Sequence, residues 1–211
     1  MRILTGIWVL MGLLPLGWML HGAWTETLGA NPIERILRVS GDWTLWLLLF
    51  TLSLALLRQV PGCAGILRWR RMAGLFTFFY AALHLSSYVV LDKFFAWQDI
   101  LLDLRKRPYI TLGMTAFVLL LPLAMTSTRG WMKRLGKYWK RLHRLVYIAA
   151  ILGVGHFFLM VKADWRSPAL HGGVLLLLLG WRVWTRRSVA PSHMFTPGNV
   201  RQNQTIGSQI H

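Results

Sequence analysis

Long apolar runs constrain this chain more than any other feature. Six of them, roughly Ile3–Leu20, Trp43–Leu57, Met72–Leu91, Tyr109–Met125, Leu142–Val161 and Ala169–Trp184, approach the roughly 20 residues that carry a helix across a bilayer. Backbone groups in hydrocarbon find no water, so such runs must satisfy their own hydrogen bonds and are expected to be helices. Hydrophobic residues make up 55% of the 211, more than a soluble domain of this size carries. The expected fold class is an all-α membrane protein, a six-transmembrane-helix bundle. Residues 1–187 form its one expected membrane domain. The polar stretch 188–211 is expected to be a mobile cytoplasmic tail.

Details of the runs refine this picture. Pro15 and Pro122 lie inside spans, where membrane helices tolerate proline. The first run follows Arg2 as a signal peptide would. It lacks a small-x-small cleavage site, so it is expected to be a retained anchor. The second run is short for a crossing and has room to extend past its ends. Ahead of it, Ile33, Ile36, Leu37 and Ser40 within Asn31–Ser40 follow helical spacing. That spacing suits either a short interfacial helix or an ordered loop.

Charge orients the bundle. The chain has 24 Lys+Arg against 7 Asp+Glu, a formal net charge of +17. In a soluble protein that imbalance points to nucleic acid; here the basic residues sit in short links between apolar runs, so no nucleic-acid partner is expected. Arg2, the links Arg58–Arg71 and Arg129–Arg144, and the C-terminal part hold most of the basic residues and no acid. All the acids (Glu26, Glu34, Asp42, Asp92, Asp99, Asp103, Asp164) fall on the other side. The positive-inside rule then places both termini in the cytoplasm, with an even number of spans and some attraction to anionic membrane lipid. Cys63 is the single cysteine, which excludes an intrachain disulfide or a cysteine-based metal site.

Histidines carry the candidate chemistry. His193 and His211 lie in the tail, and His21 and His171 near the outer helix ends, where an interfacial histidine often does nothing. His84 and His156 lie inside apolar runs, where an ionisable residue is costly and functional by default. The structural alternative is a neutral histidine bonded to a neighbouring helix. Both spans run outward, and the two residues sit at similar depth. Two imidazoles on facing helices can ligate a haem iron from both sides and leave no open position, which suits electron transfer. His143 begins the fifth span. It stands about 20 Å from His156 along an ideal helix, and about 220° around it. No acid is expected deep in a span, which disfavours a histidine-relay proton or ion transporter, the competing reading. A cofactor-free structural anchor is a third.

Longer stretches carry a family resemblance. Arg71-Met-Ala-Gly-Leu, Leu83-His-Leu-Ser-Ser-Tyr88, Arg107-Pro-Tyr-Ile-Thr-Leu-Gly113, Thr126-Ser-Thr and Leu135-Gly-Lys-x-Trp-Lys-Arg-Leu-His-Arg-Leu-Val-Tyr147, with His156 after it, cover most of the six-helix core. With them the chain resembles the MsrQ (YedZ) family, haem-binding membrane subunits within the wider ferric-reductase-like transmembrane group. The resemblance implies that His84, His143 and His156 are metal-ligand positions for haem b, one or two per chain, and that FMN is a further cofactor. It also implies a bacterial inner-membrane location and electrons passed to a periplasmic molybdopterin enzyme, MsrP, that reduces methionine sulfoxide in damaged proteins. Quinol from the quinone pool, or a cytoplasmic flavin reductase, would supply them, since no flavin–NADPH domain is expected in this chain. Such a subunit performs no substrate chemistry of its own. The wider group carries a second histidine on the third span, where this chain has Arg70 and Arg71. These arginines, with the basic link before His143, are expected to bind anionic cofactor groups such as a flavin phosphate or haem propionates.

The orientation has a direct check. A reporter active only in the periplasm, fused after His211, is expected to give no signal; a strong signal inverts the topology.

Overall fold

The computed structural model describes residues 2–56, 67–161 and 164–188, and every regular element among them is helical. The helices are α1 (Arg2–Trp24), α2 (Pro32–Leu56), α3 (Leu67–Ser87), α4 (Trp97–Lys106), α5 (Pro108–Met125), α6 (Arg129–Leu135), α7 (Lys137–Leu142), α8 (Leu145–Met160) and α9 (Arg166–Ser188). A π turn, Tyr88–Asp92, continues α3. Five stretches are long and apolar enough to cross a membrane: Ile3–Trp24, Pro32–Leu56, Trp69–Asp92, Pro108–Met125 and Lys137–Met160. α9 covers the sixth run in 23 residues, but Arg166, His171 and Arg182 dilute it and it is not among the five. Cys63 and residues 189–211 lie outside the described residues.

Three expectations change. The segment Asn31–Ser40 is neither a separate helix nor a loop but the first turns of α2. The Asn31 side chain accepts the Glu34 amide at 3.1 Å, and Pro32 supplies a preset first helical residue, so the helix starts eleven residues before Trp43. That extension brings Asp42, half-buried, into a spanning helix, so an acid does lie within a span. The basic link Arg129–Arg144 is not a loop either. Thr128 caps α6, and Gly136, at φ +48°, separates it from α7.

Helices pair as α2 with α3 and α5 with α8, and the pairs join through α2–α8 and α3–α5 contacts. Leu45, Leu48, Leu49 and Leu52 of α2 meet Ala81, Leu120, Leu123, Val146 and Val154 in the core. Ala149 and Ala150 are fully buried, small residues that let helix backbones approach closely. α1 leans on α3 at Gly12, where a Cβ would stand 2.5 Å from the Phe76 ring. The Tyr80 hydroxyl donates to the Gly12 carbonyl at 2.6 Å and accepts the Leu16 amide at 3.3 Å, entering the α1 ladder beside Pro15. α9 lies against α2 and α8.

The acid-side corner between α3 and α5 holds a network of ion pairs. α4 is strongly amphipathic: it buries Ile100 and Asp103 and exposes Trp97, Leu101 and Leu102. Asp103 accepts the Tyr88 hydroxyl at 2.9 Å and pairs with Lys93 at 2.6 Å and Arg107 at 3.1 Å. Burial alone pushes this carboxyl up. The hydrogen bonds from Lys93 and Tyr88, with the Lys93 and Arg107 charges, outweigh burial and hold it below the usual carboxylate range.

A pH dependence follows. A carboxyl lowered by folding stabilises the native state above its unfolded value of about 4 and loses that contribution as pH falls through the lowered one. Thermal unfolding in detergent is expected to show a loss of stability on acidification that is smaller in Asp103→Asn. Identical acid profiles would dissociate the corner from stability.

Candidate functional site

His84 lies in the last turn of α3, and His156 lies just before the last turn of α8. Their ring centroids stand 6.2 Å apart with planes 82° to each other. The third and fifth spans thus bring these two residues to one depth, as their sequence positions suggest.

Each ring is fixed the same way. His84 Nδ1 lies 2.9 Å from the Leu37 carbonyl, and His156 Nδ1 lies 2.6 Å from the Tyr109 carbonyl. A carbonyl only accepts, so both Nδ1 atoms carry the hydrogen and both Nε2 atoms keep their lone pairs. Four residues after each accepting carbonyl stands a glycine. A Cβ on Gly41 would sit 3.3 Å from the His84 ring, and one on Gly113 would sit 2.8 Å from His156 Nδ1. Both imidazoles therefore lie against bare helix backbone. Ser40, fully buried, adds a contact to His84 Nδ1 at 3.3 Å.

This arrangement fits a metal held between the rings. Metal–imidazole bonds are about 2 Å, and each nitrogen lies roughly 1 Å from its ring centre. Two ligated rings then stand roughly 6 Å apart, which the observed spacing matches. Metal-ligating histidines also commonly donate their other N–H to a carbonyl, which fixes the tautomer and raises ligand basicity.

His143 sits elsewhere, at the opposite end of α8 among the basic residues. It is half-buried, its ring stacks on Trp139 at 4.0 Å and 30°, and its Nδ1 lies 3.2 Å from the Trp139 carbonyl. The Trp139 indole donates to the Thr126 carbonyl at 3.0 Å, tying α7 to the end of α5. Arg70 lies within electrostatic reach of His143, whereas Arg71, next on α3, faces outward.

Sequence reasoning missed His171. It is 1% exposed, and its Nδ1 donates to the Ser167 carbonyl at 2.8 Å. Its ring lies 4.4 Å from Trp46 and 5.5 Å from Phe157, and its Nε2 is the one buried side-chain nitrogen without a partner among the described residues. Its position one turn inside α9 looks interfacial in the sequence; only tertiary contacts from α2 and α8 bury it.

Residues 40–154 match the family of ferric reductase like transmembrane components, so the chain belongs to that family of membrane proteins. The most informative relatives narrow it further. The chain is 52% identical over 171 residues to the protein-methionine-sulfoxide reductase heme-binding subunit MsrQ of Xanthomonas campestris pv. campestris strain B100, covering 81% of this chain and 78% of that protein. To MsrQ of Xanthomonas axonopodis pv. citri it is 49% identical over 176 residues, 82% and 81% of the two chains. To MsrQ of Caulobacter vibrioides it is 48% identical over 177 residues, 83% and 84%. The chain is a member of the MsrQ family. No solved structure matches it. Family membership and the apolar helices together make it a multi-pass membrane protein.

The glycine sockets are unequal, which gives a test. Gly113→Ala forces the His156 ring off its carbonyl and is expected to destabilise the protein by about 1–3 kcal/mol, with Gly41→Ala clearly milder. Equal stabilities in a detergent unfolding titration would remove the close approach at Gly113.

Proposed function

We propose that this chain is a haem-binding electron-transfer subunit that delivers electrons across the bacterial inner membrane to a methionine sulfoxide reductase. The carrying observation is the His84–His156 pair, with rings 6.2 Å apart and both Nδ1 atoms held by carbonyls. The names of the relatives, heme-binding subunits of such a reductase, support it.

His84 and His156 would hold haem b through Nε2, and the group, when bound, would supply a one-electron carrier. The residues do the rest. Leu37 and Tyr109 orient the rings through their carbonyls. Gly41 and Gly113 give them room. The core leucines and Phe157 exclude water. In this reading α9 is the sixth span and both termini are cytoplasmic, so the histidine pair lies toward the periplasm and MsrP is the acceptor. Electrons enter on the basic side near His143, Trp139 and Arg70, where cationic side chains favour an anionic cofactor such as FMN or haem propionates. A quinol or a cytoplasmic flavin reductase is the donor.

Purified His84→Ala and His156→Ala are each expected to lose the main b-type spectrum while remaining in the membrane. His143→Ala is expected to keep it and still be reduced by dithionite, but to lose reduction by a cytoplasmic flavin donor. Full haem retention in both outer variants removes the ligand assignment; unchanged donor reduction in His143→Ala removes the route.

A further inference from the structure

The electron-transfer reading does not account for Asp103, the one buried acid among the described residues, at 8% exposure. Its two oxygens serve two different segments. Oδ2 takes the Tyr88 hydroxyl at 2.9 Å and lies 2.6 Å from the Lys93 ammonium, both at the outer end of α3. Oδ1 lies 3.1 Å from Arg107 Nε, at the start of α5.

Both segments lead directly to the histidine pair. Tyr88 is four residues beyond His84, one helical turn along the same face. Arg107 donates to the Tyr109 hydroxyl at 3.2 Å, and the Tyr109 carbonyl is the group that holds His156 at 2.6 Å. One carboxylate therefore joins the segment that carries the first imidazole to the residue that aims the second.

The chain makes a costly turn to bring Asp103 there. Phe94 and Phe95 adopt φ of +47° and +60°, a region that bulky side chains avoid. The turn is held by the Lys93 amide on the Tyr88 carbonyl at 2.9 Å and the Phe95 amide on the Val89 carbonyl at 3.0 Å. The α4–α5 joint is closed by the Arg107 amide on the Asp103 carbonyl at 2.8 Å and the Thr111 hydroxyl on the Leu104 carbonyl at 2.7 Å. A corner fixed this completely transmits position rather than absorbing it.

We propose that Asp103 is a positioning residue for the ligand pair, setting the separation and mutual angle of the His84 and His156 rings through Tyr88 on one side and Arg107–Tyr109 on the other. The inference rests on the reading that these histidines hold haem b. Groups outside the ligands themselves are known to tune metal sites in this way by fixing ligand orientation.

A role confined to loop stability is separable from a positioning role. The low-spin electron paramagnetic resonance signal of a ferric haem between two imidazoles reports the angle between the ring planes, which loop stability alone does not move. Full-length protein in lipid nanodiscs would be compared as wild type, Tyr88→Phe, Asp103→Asn and Asp103→Glu, with haem per chain, that signal and the midpoint potential measured on each. Tyr88→Phe keeps both ion pairs and removes only the Tyr88 hydroxyl tether, the one on the face of His84; it is expected to retain haem and shift the signal. Asp103→Asn is expected to lose at least half of its haem and spread the remaining signal over several forms, and Asp103→Glu to recover most of both. Wild-type signals and potentials in Tyr88→Phe and Asp103→Asn overturn the proposal. If Asp103→Asn does not fold, an unchanged signal in Tyr88→Phe overturns it alone. A wild-type protein with no reducible haem overturns the underlying reading and this proposal with it, and that result is visible before any variant is made.

Discussion

A histidine inside hydrocarbon has two nitrogens to satisfy and no water to satisfy them with. This chain meets the constraint by giving one nitrogen to a helix carbonyl and leaving the other as a free lone pair. His84, His156 and His171 all do so, to Leu37, Tyr109 and Ser167. For the central pair the carbonyl comes from a neighbouring helix, so the bond fixes a helix pair as well as a ring. α2 is set against α3 by one such bond and α5 against α8 by the other, and these are the two extensive helix contacts of the bundle.

Around that pair the molecule is built in layers. The apolar middle is leucine against alanine, with Gly153 close enough to Leu45 that a Cβ would stand 3.2 Å away. One end is basic and aromatic: Trp139 stacks on His143, Arg141 and Lys137 lie over Tyr138, and Arg182 over Tyr147. The other end holds the Asp103 ion network and the amphipathic α4. Neither end resembles the other in charge or in side chains.

Much of this was legible in the sequence because it is local or periodic. The long apolar runs are helices, and His84 and His156 share a depth because depth along a span is a matter of counting residues. What resisted reading depends on other helices. The start of α2 was hidden by polar residues whose cap, Asn31 with Pro32, is short and easily mistaken for a loop. α4 is too short and too charged to register beside the spans. Gly41 and Gly113 look like any helical glycine until an imidazole from another helix is laid on them. His171 carries no local sign of burial, because Trp46 and Phe157 reach it from distant parts of the chain.

The two histidine sockets are built to one plan: a carbonyl, a glycine four residues later, and an imidazole from the adjacent helix. The sockets differ in closeness but share their chemistry, so the two sides offer nearly the same groups to anything held between them. Direction must then be written into the ends of the bundle rather than its centre. A cationic aromatic floor on one side and a pinned carboxylate roof on the other supply the asymmetry that the middle of the bundle lacks.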